Sequence, residues 1–211
     1  MAREGIPFIV VFAIPAVVFV WLGWWVAVGV CVALCLFMAF FFRDPKRECP
    51  SDKTLIVSPA DGRVVVVAPV EPSAPKGATQ ISIFLSPLDV HINRSPAAGE
   101  ITDVFYKKGA FHVASKDVAS IENEQNIITI KTLSGSVVVR QIAGVLARRV
   151  VFWKKTGDHV QLGERIGLMK FSSRMDVLLP TGVEALVRKN DRVIGGVSVL
   201  GRMAPAPSEN D

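Results

Sequence analysis

The sequence predicts a mainly β domain, barrel-like or sandwich-like, that follows an N-terminal helical segment embedded in a membrane. One observation is an uncharged apolar run from Ile6 to Phe42 in a chain of 211 residues. The other is a series of short runs rich in β-branched and apolar residues, bounded by Gly, Pro, Asp or Ser, with no sustained helical period. A parallel α/β sheet is disfavoured because it would need helical crossovers between its strands.

The apolar run is nearly long enough for two membrane crossings, since one helical crossing needs about 20 apolar residues. Arg3 precedes the run, and basic residues also follow it at Arg43, Lys46 and Arg47. Because basic residues stay on the cytoplasmic side, this pattern favours a two-helix hairpin with both ends inside. One long, tilted helix remains the alternative. A secretory signal is disfavoured, because its apolar core would span only about 7–15 residues.

We divide the chain into four parts: residues 1–42 as the membrane anchor, 43–53 as a polar linker, 54–203 as the β-rich domain and 204–211 as a flexible tail. Two further strands are expected to meet at the Ser172-Ser173 pair. The other predicted strands are Thr54–Val57, Arg63–Val70, Thr79–Leu85, Glu100–Tyr106, Asn126–Thr132, Ser136–Ala143 and Arg149–Trp153.

Composition limits the classes of function. The three cysteines lie at Cys49 or before it, so they cannot form a disulfide framework for the β-rich domain, which fits a reducing cytoplasm. No Cys/His cluster has metal-ligand spacing, so we expect no metal. The net charge of +5 suits work against an anionic leaflet. Nucleic-acid binding is disfavoured because no basic stripe is interleaved with aromatic residues.

Three polar motifs interrupt the apolar pattern, and each has an ordinary structural interpretation. Asp61-Gly62 before a strand makes a good turn. Asp89 and His91 close an apolar strand, where the period of two would point both side chains toward one face. The Ser172-Ser173 pair, between two apolar runs, could be a simple polar turn.

Taken together, these motifs resemble the short-form phosphatidylserine decarboxylases, over a stretch from the Phe41-to-Pro45 junction to about Gly201. The resemblance includes the Pro-Ala-Asp-Gly run at Asp61 and the Ser-Pro-x-Asp-x-His run at His91. It also includes Lys170-Phe171-Ser172-Ser173-Arg174, followed by an Asp and by Leu-Pro. The chain has Ser172 where the family usually has Gly, and Arg94 where longer bacterial relatives carry a second histidine.

The resemblance implies a proenzyme that cuts itself between residues 172 and 173 and converts Ser173 into a pyruvoyl group. That ketone would form a Schiff base with the serine head group of phosphatidylserine and yield phosphatidylethanolamine, without pyridoxal phosphate or metal. His91 would be the base, oriented by Asp61. The large and small chains would stay together as a heterodimer, on the cytoplasmic face of the cell membrane, with an anionic phospholipid as substrate.

Three further residues are candidates for support of the site: Asp89, Arg94 and His112. His112 is a second choice of acid or base within the region that the resemblance covers. His159, in a Gly-Asp-His turn, is expected to be solvated.

Two rival functions come from other classes of protein. The turn Thr156–Gly163 echoes Lys189–Gly196, and paired turns of this kind build lipoyl and biotinyl carrier domains, in which Lys170 would be the attachment point. The carrier hypothesis does not explain the apolar segment or the upstream motifs. The other rival is a membrane-tethered β domain that acts only as a scaffold.

Overall fold

The computed structural model describes residues 1–70, 78–110, 122–144, 150–170 and 173–204. These residues form two compact units, Met1–Lys46 and Arg47–Asp211.

The first unit is a pair of packed helices, α1 (Ile6–Trp21) and α2 (Trp25–Phe41), preceded by a 3-10 turn. Gly23, with φ 72°, makes the tight reversal between them. Apolar side chains cover their outward surfaces, which suits lipid rather than water. In the described part of the chain, one helical segment is long and apolar enough to cross a membrane, Arg3–Trp21 with 19 residues; α2 is shorter.

The second unit consists of short strands connected by turns. In chain order they are β1 (Leu55–Val57), β2 (Gly62–Pro69), β3 (Thr79–Leu85), β4 (Ile92–Arg94), β5 (Gly99–Lys107), β6 (Gln125–Thr132), β7 (Gly135–Ile142), β8 (Val150–Phe152), β9 (His159–Val160), β10 (Arg165–Met169), β11 (Ser173–Leu179), β12 (Arg192–Val193) and β13 (Val199–Arg202).

The large sheet has the order β12-β2-β3-β11-β7-β6-β5-β9, and all of its pairings are antiparallel. It curls into a half-barrel, which confirms the prediction of a mainly β fold. A smaller sheet has the order β4-β10-β8, and β1 pairs with β13.

The longer strands lie where the sequence predicts them, and the bounds of β3 agree at both ends. The sequence analysis missed β4, β9, β12 and β13. Each of these has two to four residues, which is too short for an alternating pattern to emerge.

Strand β11 contributes to both parts of the hydrophobic core. Met175 packs in a cluster with Leu85 and Met169, whereas Val177 belongs to a second cluster with Ile81. Met175 and Val177 share one face of β11, because side chains alternate along a strand. The core therefore fixes which residues of β11 point inward.

The echo between the two turns is a structural repeat. Asp158 accepts the backbone N–H of Lys155 at 3.0 Å, and Asp191 accepts that of Arg188 at 2.8 Å. Gly157 has φ 91°, and its counterpart Asn190 has φ 80°. The two turns thus use the same local hydrogen bond and the same left-handed residue.

The repeat extends to the segments that these turns contact. The Ser58 hydroxyl donates to the Ala60 carbonyl at 2.6 Å, and the Ser95 hydroxyl donates to the Ala97 carbonyl at the same distance. The two segments are joined by reciprocal bonds, from Val57 N–H to Pro96 O and from Arg94 N–H to Pro59 O, both 2.8 Å. In this correspondence Ala98 stands where the first segment has Asp61.

We predict that Gly163→Ala destabilises the protein more than Gly157→Ala does. Both glycines have positive φ, so each change costs about 1–2 kcal/mol of backbone strain. A Cβ at residue 163 would also lie 2.1 Å from Cys49 Sγ, whereas nothing lies within 4 Å at residue 157. Urea unfolding of both variants measures the difference, which should be at least about 1 kcal/mol. Equal losses would contradict the close packing at Gly163.

Candidate active site

Two connections cross from the large sheet to the small one at the same place. Residues 86–91 link β3 to β4, and residues 170–172 link β10 to β11. Leu85, which ends β3, pairs with Ser173, which begins β11. On the small sheet, Met169 N–H donates to the His91 carbonyl at 3.1 Å. These two pairings therefore bring the segments of His91 and Ser173 close together.

Ser173 occupies the inner side of this junction. It is fully buried, and among the described residues its hydroxyl has no hydrogen-bond partner. A buried hydroxyl is normally paired, so this atom calls for an explanation. Ser172, predicted as the other half of the cleavage site, lies outside the described residues.

The ring of His91 is buried, and one of its nitrogens is fixed by the main chain. Nδ1 lies 3.0 Å from the backbone oxygen of Asp89, and His91 is only 2% exposed. Since a carbonyl oxygen only accepts hydrogen bonds, Nδ1 must carry the proton. In the neutral ring Nε2 is then the basic nitrogen, which is the tautomer required of a general base.

The prediction that Asp89 and His91 share the face of a strand is wrong. Strand β3 ends at Leu85, and a turn follows, in which Asp89 N–H donates to the Ser86 carbonyl at 2.9 Å. The Asp89 carboxylate accepts Ser86 N–H at 2.8 Å and pairs with Arg192 at 3.0 Å. It therefore holds the turn that carries His91, and the ring contacts the main chain of Asp89 rather than its carboxylate.

Asp61 lies immediately before β2, the neighbour of β3 in the large sheet. One oxygen of its carboxylate pairs with Arg47 at 2.7 Å, and the other accepts Gly195 N–H at 2.8 Å. These contacts, rather than one to His91, hold the carboxylate. The repeat builds the equivalent turn with Ala98, so the turn itself does not require an acid.

The other predicted residues fall in different places. Arg94 is buried and donates to the Gly163 carbonyl at 3.0 Å, which ties β4 to one of the repeated turns. His112 lies outside the described residues. His159 is exposed, as expected. Over the described ranges no three His, Cys, Asp or Glu side chains form a group that could hold a metal.

Glu164 directly precedes β10, and its pKa is lowered from the ordinary value. Burial raises its pKa, but the hydrogen bonds from Lys154 at 2.5 Å and from Gln161 N–H at 2.8 Å outweigh burial and leave the pKa below the ordinary value. Glu164 therefore stays ionised at neutral pH and holds Lys154 against the start of β10.

A buried ion pair lies on the opposite face of β11 from Ser173. Arg174 Nε contacts Asp176 Oδ1 at 2.7 Å, and both side chains are at most 1% exposed. Ser82 accepts a hydrogen bond from Arg174 at 2.7 Å, and Gln80 donates to Asp176 at 3.1 Å. The pair thereby links β11 to β3 directly after the candidate cleavage site.

Three buried amides, to which sequence reasoning attached no chemistry, lie on the Ser173 side of the sheets. Asn126 Nδ2 donates to Gln141 Oε1 at 3.0 Å, and Gln141 Nε2 donates to Asn93 Oδ1 at 2.8 Å. The amides come from β6, β7 and β4, so the chain of bonds spans both sheets. Asn126 and Gln141 lie in segments that also resemble the family, and Asn93 lies two residues after His91, where a polar residue inside an apolar stretch could have drawn attention.

We predict that Asp176→Ala costs much more stability than Asp61→Ala. Removing Asp176 leaves Arg174 buried without its counter-charge, which costs about 3–5 kcal/mol. Asp61 is partly exposed and its turn forms with alanine elsewhere, so its loss should cost about 1–2 kcal/mol.

Urea unfolding measures both effects. Each change should be made in a Ser173→Ala background, so that all of the proteins compared are single, uncut chains. An equal loss in the two variants would mean that Asp61 is as much a part of the framework as Asp176.

Comparison with known proteins matches residues 34–201 to the family "Phosphatidylserine decarboxylase". A phosphatidylserine decarboxylase proenzyme of Solibacter usitatus is 51% identical over 81% of this chain and 81% of its own. Proenzymes of the same name from Symbiobacterium thermophilum and Syntrophotalea carbinolica are 46% and 44% identical, and each alignment covers at least 95% of both chains.

Proposed function

The chain belongs to the phosphatidylserine decarboxylase family, and on that premise we propose that it removes carbon dioxide from the serine head group of phosphatidylserine. We propose further that it makes its own cofactor by cutting itself before Ser173. The observation that carries this second step is the Ser173 hydroxyl, which is buried and unpartnered among the described residues. It begins a central strand beside the crossing that holds His91.

Self-processing needs only atoms of the chain and one water. The Ser173 hydroxyl attacks the carbonyl carbon of Ser172, and the N-to-O acyl shift replaces the peptide bond with an ester and frees the amine of Ser173. A base then removes the Cα proton of Ser173. The bond between Cβ and Oγ of Ser173 breaks, and the carboxylate of Ser172 is the leaving group. Water hydrolyses the resulting enamine, after its tautomerisation to the imine, and releases ammonia. The large chain ends at Ser172 and the small chain begins with a ketone.

His91 is our choice of base. Its bond to the Asp89 carbonyl fixes the tautomer, which leaves Nε2 able to take a proton. Asp61 lies at the end of the sheet where β3 leads into the His91 segment, and we propose that it supports His91 from there. Its contacts with Arg47 and Gly195 keep the carboxylate in place. Asp89 supports the site indirectly by closing the turn that carries His91.

The pyruvoyl ketone that Ser173 would provide accepts the electrons released when carbon dioxide leaves. The chain's own contribution is a dry, preorganised site. Ser173 is opposite Leu85 and shares a face of β11 with Met175, and both belong to a buried apolar cluster that excludes water from this face. A protonated His91 could then return a proton to the product, so one residue would serve both processing and turnover.

Substrate access explains the N-terminal unit. A phospholipid stays in the bilayer, so we propose that residues 1–42 anchor the enzyme as a two-helix hairpin and that residues 43–53 link it to the β-rich domain. Both ends of the hairpin would lie in the cytoplasm, because Arg3 and Arg43 flank it. The net charge of +5 favours an anionic membrane surface. The cleaved large and small chains would remain together as a heterodimer.

The first test of the proposed function is the mass of the purified protein. The wild type should give two chains, one ending at Ser172 and one with a pyruvoyl group at position 173, and Ser173→Ala should give one full-length chain. His91→Ala should also remain uncut, because the Cα proton is not removed.

Two results would contradict this proposal. A wild type that stays a single chain with an ordinary serine at 173 would have no cofactor. Cleavage of His91→Ala at the wild-type rate would remove His91 from processing.

The second test separates membrane access from chemistry. Deletion of residues 1–42 should leave self-cleavage intact and lower turnover of bilayer phosphatidylserine at least about tenfold more than turnover of a short-chain, soluble analogue, because only the bilayer substrate needs the anchor. Circular dichroism and intact mass confirm that the shortened protein is folded and cut. An equal loss on both substrates would show that the N-terminal unit is not concerned with access.

A further inference from the structure

Asn93 combines burial with an unused hydrogen-bond donor. It is fully buried, and among the described residues its Nδ2 has no partner. Most buried amide groups are paired, since an unpaired donor loses the hydrogen bonds it would have made with water. Asn93 Nδ2 is an exception to this rule beside a candidate active site whose reactants carry several oxygens. The exception points to an acceptor oxygen that a reactant supplies.

The orientation of Asn93 is fixed by its neighbours. Gln141 donates its Nε2 to Asn93 Oδ1 at 2.8 Å, and the Gln141 oxygen is in turn held by Asn126 at 3.0 Å. Because Asn93 Oδ1 accepts from Gln141, the amide presents Nδ2 in the other direction. A donor held in this way is preorganised, so it would lose little entropy when it binds an acceptor.

The strand register places this relay on the side of the reacting residue. Gln141 is opposite Met175 on β11, and Met175 lies two residues after Ser173, so all three side chains share one face of the sheet. The Gln141 amide reaches Asn93 by passing close to Gly167. A Cβ on residue 167 would lie 3.2 Å from Gln141 Nε2. The absence of a side chain at Gly167 leaves room for the crossing.

Asn93 also adjoins the proposed base. It follows His91 by two residues, and it is opposite Gly167 in β10, the strand whose end leads into the segment before Ser173. The donor therefore lies in the same interior space as the two residues on which the proposed function rests. Arg94, the next residue, points to the Gly163 turn instead.

We propose that Asn93 is a binding residue for an anionic oxygen of the reacting group, with Gln141 and Asn126 as its positioning residues. The inference rests on the proposed function. Two reactants offer such an oxygen: the carbonyl of residue 172, which gains negative charge during self-processing, and the carboxylate of the serine head group during turnover. The chemistry of recognition is the same for both.

Asn93→Asp is the main test, because it keeps the oxygen that accepts from Gln141 and replaces the donor with a second acceptor. Loss of a hydrogen bond to a charged oxygen corresponds to a change of about 10- to 100-fold. We expect this change either in the rate of maturation, which identifies the carbonyl of residue 172, or in KM for short-chain phosphatidylserine after maturation, which identifies the head group. The full-length protein is used throughout.

Gln141→Glu tests the same donor without changing Asn93. A carboxylate at 141 still accepts from Asn126 and also accepts from Asn93, whose amide rotates so that Nδ2 is used up. It should therefore reproduce the defect of Asn93→Asp while the fold keeps its hydrogen bonds. The matched control is Asn123→Asp, a second fully buried asparagine, whose amide donates to the Ala143 carbonyl at 2.7 Å.

Thermal unfolding is measured beside the kinetics. A merely structural role would give all three variants losses in proportion to their loss of stability. Our inference requires Asn93→Asp and Gln141→Glu to change maturation or KM beyond what Asn123→Asp does at similar stability. If Asn93→Asp and Gln141→Glu both keep the wild-type rate of maturation and the wild-type KM, the inference is overturned. The proposed function would stand, because the Ser173 and His91 variants test it separately.

Discussion

The position of both proposed reacting residues depends on two chain connections that join the same two sheets. One crossing carries His91 and the other leads into Ser173, and each begins or ends on strands that pair with the strands of the other. The pairing of β11 with β3 extends over seven successive residues, so its register is strongly determined. A slip by one residue would turn Ser173 to the opposite face of the sheet.

Strand β11 must satisfy polar groups on both of its faces, and it does so in different ways. On one face, Arg174 and Asp176 neutralise each other and are completed by residues of β3. A buried pair of this kind adds little net stability, but it is costly to break and therefore holds the strand in one register. On the other face the polar groups are a hydroxyl and neutral amides of neighbouring strands; within the described ranges, Asn93 Nδ2 and the Ser173 hydroxyl have no hydrogen-bond partner.

The sequence was sufficient for the longer strands and for the three motifs, because alternation and turn residues act locally. It was insufficient for strands such as β12, whose two residues contain no period. It also misjudged Asp89: the side chain closes a turn onto Ser86, which a period of two could not reveal. The relay through Gln141 depends on strand register between distant segments, and no local pattern encodes that.

The duplicated turns show a further limit of sequence reasoning. The similarity between the turns near residues 158 and 191 can be recognised in the sequence. Its extension to Ser58 and Ser95 follows only from matching hydrogen bonds in the structure. The second copy has alanine at the position of Asp61. The backbone of this turn therefore forms without a carboxylate, and the carboxylate of Asp61 is an addition at the candidate site.

The location of β11 in the middle of the large sheet has a consequence for the order of folding and processing. Its hydrogen bonds run to β3 on one edge and to β7 on the other, and both neighbours precede residue 173 in the chain. A fragment that began at residue 173 would therefore contribute a central strand of the half-barrel and would not be a separable subunit. The proposed scission would therefore come after folding, and its two products would stay in one molecule unless the sheet were first opened.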